Sequence, residues 1–594
     1  MPSSFRSHAC GVISKEHLNQ TVTLNGWVNR RRDHGGIIFI DLRDRSGLVQ
    51  LVFDPSVCDA TTMEQAHKLR SEFVIEVCGN VVARDQAMIN PKLSTGEIEI
   101  DVASLVILNA AKALPFQLDE AEKVDEELRL AYRYLDLRRE KMHNFLKLRH
   151  DVVFALRSAL NDEAFYEVET PLLSKSTPEG ARDFLVPCRL QPGEFYALPQ
   201  SPQVYKQLLM ASGVEKYFQI ARCFRDEDLR ANRQPEFTQL DIEMSFTNEE
   251  HIFSLMERVL GRVFGDVFNV QIPASFDRYT YKDVFHRYGS DKPDMRFDLE
   301  ISQITDLFAN SDLGFLKAVV EKGGSIGALC VKDHQFSRSE LDKIVAKTIK
   351  DFGAKGLLYI RFNEDGSANS PVSKFLPEDF LQQAQAHVPG LTKNDTLLII
   401  AGDYADSWTS LGRLRLYLGQ ELDLVDTKKL SLCWVTKFPL LEYDVEEGRY
   451  YSVHHPFTRP EEGWEKKDPA QITARAYDLV MNGEELGGGS MRIHESDLQE
   501  KVFSFLGIDK ERARESFGFL LDALELGCPP MGGIALGLDR MIALMTNAPS
   551  IREVIAFPKT QKGICPLMQS PTVIDKEQLK EVFIQTRVRK AEDA

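Results

Sequence analysis

Residues 224–246 read FRDEDLRANRQPEFTQLDIEMSF, and this stretch decides the fold. Gln239, Asp241 and Glu243 alternate with Leu240, Ile242 and Met244, the two-residue period of a strand with one polar and one apolar face. Arg225 and Glu227 share a face on the strand before it. Two strands joined by the charged loop DEDLRANRQPE form an antiparallel pair that gathers Arg, Glu, Gln and Asp together. A solvated sheet face carries the same pattern, but a loop this long and charged suits a functional connection better than an economical hairpin.

Two further segments carry comparable chemistry. In AYDLVMNGEELGGGSMRIH, residues 476–494, Asn482-Gly483 predicts a two-residue type I′ turn. That register pairs Met481 with Glu484 and Val480 with Glu485, and sets Asp478 diagonally opposite Glu485 at about 7–8 Å. Two carboxylates so placed suit a hard cation shared with phosphate oxygens; an ordinary exposed hairpin is the alternative. Strict alternation turns Arg492 to the opposite face unless the Gly487–Gly489 run contains a bulge. In MGGIALGLDRMIALM, 531–545, a strand turns into a helix. Gly533 and Gly537 permit close backbone approach there, and Arg540 falls in the first helical turn, a position suited to an anion. No G-x-x-x-x-G-K-[ST] occurs, so this is not a P-loop. His454 and His455, in VHHPFT, point opposite ways if they lie on a strand, and neither joins a Ser or Cys in a nucleophile motif. Arginines, paired carboxylates and a helix start indicate nucleotide chemistry by electrostatic clamping rather than covalent catalysis.

Outward from these segments, 594 residues at ~150 per domain give three or four domains. Hydrophobic residues make up 43% and charged residues 27%, which excludes disordered and low-complexity architectures. No apolar run approaches the ~18–20 residues that span a bilayer, and the first residues lack a signal peptide's apolar core, so a cytoplasmic protein is expected. Nine scattered cysteines without a C-x-x-C pair argue against a disulfide framework or zinc site. The net charge is −17, yet residues 21–45 hold five Arg against three Asp. Composition therefore leaves nucleic-acid binding open.

The chain reads as an α+β multidomain protein. Residues 1–110 contain five strand-like runs broken by turn residues, which fits an OB-type barrel or another small barrel or sandwich. A charged connector (111–140) leads into a helix from Met142, and FYEVETPLL follows as a strand ending at Pro171. Residues 141–290 and 421–560 hold the charged constellations on a mainly antiparallel sheet. Residues 291–420 form a separate α/β insert, and 561–594 a charged extension ending in a helix.

In its ordered motifs the chain resembles the bacterial type of aspartyl-tRNA synthetase, a class II family with an N-terminal OB anticodon-binding barrel. The helix and strand ending at Pro171 are similar to motif 1, FRDE with RQPEF to motif 2, and GIALGLDR (533–540) to motif 3. TPEGARDF (177–184), QSPQVYKQLLM (200–210), HHPFT and GGGSMRIH are similar to segments of the aspartate enzymes, and the insert to their extra domain.

The resemblance implies activation of L-aspartate by ATP and transfer to the 3′ end of tRNA. It implies that Arg225 binds the α-phosphate and Arg540 the γ-phosphate. Asp226, Glu227 and Gln234 belong with ATP, as do Gly537, Leu538 and Asp539. Asp478 and Glu485 would hold Mg²⁺, the latter also meeting ATP. Lys206 and Arg492 would receive the substrate's side-chain carboxylate, with Glu179, Gln203 and Asp241 around the amino group and His454 closing the pocket. Arg32, Phe39 and Gln50 match anticodon-reading positions, with a base stacked on Phe39. His34 resembles relaxed members that aspartylate both tRNA-Asp and tRNA-Asn, where strictly specific members have Leu. Ala87 departs from the Gly that relaxed members can carry. A homodimer is expected. Alternatives are a strictly tRNA-Asp-specific enzyme, an asparaginyl- or lysyl-type ligase, and a non-catalytic tRNA-binding relative.

Overall fold

A computed structural model of the chain describes residues 6–177, 180–309 and 311–587. It resolves into two compact units, Met1–His143 and Asn144–Ala594.

In the first unit, strands Thr21–His34, Ile37–Asp44, Gly47–Phe53, Val74–Ala83 and Ile98–Asn109 close a barrel in the order first, second, third, fifth, fourth. The third and fifth pair in parallel, and every other pair is antiparallel. Alternate residues, such as Val22, Leu24 and Val28 or Ile38, Ile40 and Leu42, point into one buried core. Closure removes the exposed edges of a sandwich and makes this the OB-type barrel. A short helix, Ala60–Lys68, links the third and fourth strands; the Asp59 side chain accepts the Thr62 N–H at 2.6 Å to start it.

The second unit is built on an eight-stranded sheet. Across it run Asp277–Thr280, Leu432–Thr436, Ala476–Met481, Glu484–Met491, Met531–Gly537, Glu236–Ser245, Lys216–Phe224 and Tyr166–Glu167. Only the two outermost pairs are parallel. Helix Glu249–Phe268 covers one face: Phe253 stacks on Trp434 at 4.3 Å between ring centroids and meets Tyr477 edge-on. Burying each such ring contributes ~1.5–3 kcal/mol. The other face is left to the polar residues of the same strands.

The strand expected to run through FYEVETPLL is only Tyr166–Glu167. It lies at the sheet edge with one neighbour, Val168 adds a single further hydrogen bond to Phe218, and Pro171 has no N–H to continue the ladder. The insert forms its own five-stranded sheet, from Ile301–Gln303 to Thr396–Gly402, with helices Arg338–Lys350 and Tyr404–Glu421. Its strand pairs are antiparallel throughout, and its two faces carry separate hydrophobic clusters. All nine cysteines are free thiols. Among the described residues no helix is long and apolar enough to cross a membrane.

Candidate active site

The polar face of the eight-stranded sheet floors a cavity of about 750 Å³. Two cations and two carboxylates lie at its base, all nearly excluded from water. Lys206, from helix Gln203–Ala211, meets Asp241 at 2.9 Å and Glu243 at 3.4 Å. Arg492 donates from Nε to one Glu243 oxygen at 2.9 Å and from a terminal nitrogen to the other at 3.2 Å. Its second terminal nitrogen donates to Ser490 Oγ at 2.5 Å and His455 Nε2 at 2.7 Å. Because a guanidinium only donates, Nε2 of His455 accepts here. Burial, with Arg492 beside it, keeps His455 well below the ordinary histidine range and therefore neutral. Burial also lowers His454 to about 4.

Four buried polar atoms around this cavity have no hydrogen-bond partner among the described residues: Gln203 Nε2, Asp241 Oδ2, His454 Nδ1 and Arg225 Nε. Buried groups of this kind are normally satisfied. A polar ligand with an acceptor for Gln203 and Arg225 and a donor for Asp241 fits them. Both histidines line the cavity, contrary to the opposed orientation expected on a strand. The strand Arg449–Ser452 ends before them and the chain bends, so alternation does not apply.

The 476–494 segment is a hairpin whose Asn482 and Gly483 have φ of 53° and 83°, both positive as a type I′ turn requires. Val480 pairs with Glu485, but Leu479 pairs with Gly487, leaving Leu486 as the extra residue of a bulge. The bulge lies one residue before the glycine run and turns Gly488, Ser490 and Arg492 to the face of Asp478 and Glu485. Gly488 stands opposite Asp478. A Cβ there would lie 2.6 Å from Asp478 Oδ1 and 3.6 Å from Glu485 Oε1, so both carboxylates border one spot. Burial, reinforced by Glu485 and Asp291, holds the Asp478 carboxyl well above the usual range. Such crowding of negative charge fits a cation. Among the described residues no group of three His, Cys, Asp or Glu is placed to hold a metal ion.

A smaller cleft of about 170 Å³ adjoins the cavity and shares Arg225, Gln239 and Glu485 with it. Arg225 follows strand Lys216–Phe224, and its guanidinium lies 5.1 Å from the centre of the Phe237 ring. Arg540, in the first turn of helix Leu538–Met545, donates to the Glu485 backbone carbonyl. Glu227, ion-paired with Arg233 at 2.9 Å, and Gln234, bonded on both sides to the Lys559 backbone, line the same cleft. Gly537 does too. Asp539 reaches it but is bound to Arg149 at 2.5 Å and to the Thr238 N–H at 2.8 Å, so it anchors the helix. Leu538 is fully buried in the core and lines neither space. Asp226 is exposed, bridged to Arg182, and also lines neither. Glu179 lies outside the described residues. Beside it, Gln200 holds Ala181 and Asp183 by three hydrogen bonds.

On the barrel, Arg32 bonds Asp41 at 2.6 Å and Gln50 at 3.2 Å, and Gln50 bonds Glu99 at 2.8 Å. Phe39 is the cross-strand partner of Arg32 and stands half-buried, with the His34 ring edge-on at 6.1 Å. His34 and Ala87 are exposed. In the sequence Glu99 and Asp291 carry no signal, and Asp41, Glu243 and His455 stand without a role. Glu243 was legible as the next polar residue after Asp241. Asp291 was not, because it stands at the edge of the presumed insert and reaches the cavity only through folding.

Residues 125–561 match the family model described as tRNA synthetases class II (D, K and N), and residues 22–108 that of the OB-fold nucleic acid binding domain. The aspartate–tRNA(Asp/Asn) ligase of Moorella thermoacetica is 51% identical over 590 residues, 99% of this chain and 98% of that one. The aspartate–tRNA ligase of Macrococcus caseolyticus is 48% identical, with 99% of this chain and 99% of that one covered. Among solved structures, the asparaginyl-tRNA synthetase from Pyrococcus horikoshii complexed with asparaginyl-adenylate superposes with a TM-score of 0.59. It is 19% identical and covers 93% of this chain and 98% of that one, a likeness of fold.

Proposed function

Because this chain belongs to the class II tRNA synthetases of the aspartate, lysine and asparagine group, we propose that it is an aspartate–tRNA ligase acting on tRNA-Asp and also on tRNA-Asn. The observation that carries the amino-acid choice is the pair Lys206 and Arg492. Of three ammonium N–H groups, two face Asp241 and Glu243; of five guanidinium N–H groups, four are engaged. Among the described residues one donor on each cation remains. A carboxylate accepts from both, whereas a carboxamide turns its own NH₂ against one of them. The Asp241 oxygen and Gln203 amide, without partners among the described residues, suit the substrate's α-amino end, with His454 lining the same cavity.

In the first step an α-carboxylate oxygen attacks the ATP α-phosphorus in line, forming aspartyl-adenylate and releasing pyrophosphate. Arg225 stabilises charge on the α-phosphate, and Arg540 holds the γ-phosphate. Glu227 and Gln234 lie at the adenine end and Gly537 lines the same cleft, while buried Leu538 and Asp539 anchor the helix that carries Arg540. Asp226, exposed and bridged to Arg182, is assigned no ATP contact. Asp478 and Glu485 would hold Mg²⁺, which supplies charge neutralisation for the phosphate oxygens when bound. In the second step a ribose hydroxyl of the tRNA 3′ terminus attacks the activated carbonyl and AMP leaves. Both steps depend on positioning. On the barrel, Phe39 stacks on an anticodon base while Arg32 and Gln50 read its neighbours. Exposed Phe154 and Tyr166, on and beside the helix corresponding to motif 1, support a homodimer.

His34, beside Phe39, favours the relaxed tRNA choice, as do relatives named for both tRNAs. Ala87, where relaxed members can carry Gly, departs from that pattern. Aspartate charging of tRNA-Asp and tRNA-Asn transcripts, side by side, decides between relaxed and strict charging. Comparable charging is expected, and loss of tRNA-Asn charging in His34→Leu. Charging of tRNA-Asp alone overturns the relaxed assignment.

A further inference from the structure

Glu243 lines neither the cavity nor the cleft, yet its carboxylate is fully buried beneath the two cations. Lys206 comes from a helix, and Arg492 from the segment after the bulged strand, so nothing local fixes their separation. Glu243 touches both: two hydrogen bonds to Arg492 and a 3.4 Å ion contact with Lys206. Of the two cations Asp241 meets Lys206, and among the described residues its second oxygen has no partner. The space Glu243 occupies exists because residue 533 is glycine. A Cβ there would stand 2.2 Å from Glu243 Oε2 and 2.1 Å from the Ile242 carbonyl.

We propose that Glu243 is the positioning residue that sets amino-acid specificity: it fixes Arg492 and Lys206 as one unit whose two remaining N–H groups converge on a single carboxylate. The inference rests on the aspartate-ligase reading and deepens it. Two buried cations left to themselves would repel and drift apart, and a fork of two charge-assisted hydrogen bonds opposes that motion. Glu243→Gln keeps the shape but replaces one acceptor by an NH₂ facing an Arg492 N–H, which pushes the guanidinium out of register.

The experiment is ATP–pyrophosphate exchange with aspartate and with asparagine, using the full chain, Glu243→Gln, Arg492→Lys and the double variant. For Glu243→Gln the aspartate KM is expected to rise about tenfold, or ~1.4 kcal/mol. The ATP KM stays within about twofold, and the aspartate-over-asparagine ratio of kcat/KM falls about tenfold. In the double variant Glu243→Gln adds less than about twofold to Arg492→Lys, because the fork is already lost. An unchanged aspartate KM and ratio, or effects that multiply in the double variant, overturns the proposal. A wild-type chain that does not exchange with aspartate overturns the ligase reading instead. Should Glu243→Gln fail to fold, Glu243→Asp decides: it keeps the charge one methylene back and is expected to lower the ratio, while an unchanged ratio overturns the assignment.

Discussion

Arg492 is at once the most constrained cation of the cavity and the one whose loss is most readable. Replacing it with Ala removes both hydrogen bonds to the Glu243 carboxylate and leaves that group with Lys206 alone, and breaking a buried pair costs ~3–5 kcal/mol. Arg492→Ala is therefore expected to lower the thermal midpoint and abolish aspartate-dependent pyrophosphate exchange. The adjoining cleft, lined by Arg225 and Arg540, is untouched. Equilibrium ATP binding by the same variant should stay within a few-fold of wild type, and unchanged aspartate kinetics would sink the pocket assignment. At this scale the residue types were readable in the sequence: the alternation through 239–243 placed Asp241 and Glu243 on one face. Their burial was not readable, because a solvated strand carries the same alternation.

Among the elements, the hairpin 476–491 depends on a single bulge. The residues of the turn announce themselves, since Asn-Gly accepts positive φ on both positions. The bulge does not. Leu486 is an ordinary residue, and it is displaced because Gly487 must pair with Leu479 on one side and Leu536 on the other. Gly488→Ala tests what the hairpin does. The three atoms nearest the new Cβ all belong to the movable ends of the Asp478 and Glu485 side chains. Folding should survive while the ATP KM, measured at limiting Mg²⁺, rises about tenfold, a loss of ~1.4 kcal/mol. In the insert, buried Asp395 starts strand Thr396–Gly402 and accepts the Asp333 N–H at 2.9 Å and the Thr392 N–H at 2.7 Å. Burial pushes its carboxyl up, but these bonds and Lys332 outweigh that and hold it below the ordinary value. A depressed carboxyl stabilises above the unfolded value, about 4, and that stability is lost as pH falls through the folded one. Asp395→Asn should lower the unfolding midpoint at pH 7 and differ less from wild type near pH 3.

For the whole molecule, the acid–cation cavity and the barrel reside in separate compact units. Activation and tRNA selection should therefore respond to different substitutions. Phe39→Ala removes a stacking surface worth ~1–3 kcal/mol. It is expected to lower kcat/KM for tRNA charging about 10- to 100-fold and leave pyrophosphate exchange unchanged; a parallel fall in exchange would overturn the division of labour. Strand periods, turn dipeptides and the motif residues are written into the sequence because they depend on neighbours a few positions away. That determined the five barrel strands, the paired strands around residues 225–245, the 482–483 turn and the identity of the cations and carboxylates. The tertiary structure decided the rest. Closing the barrel, placing Leu486 in a bulge, bringing Asp291 and both histidines to one cavity, and burying Glu243 under Arg492 all require segments distant along the chain. Such contacts are set by packing and charge compensation among many elements at once, which no local pattern records.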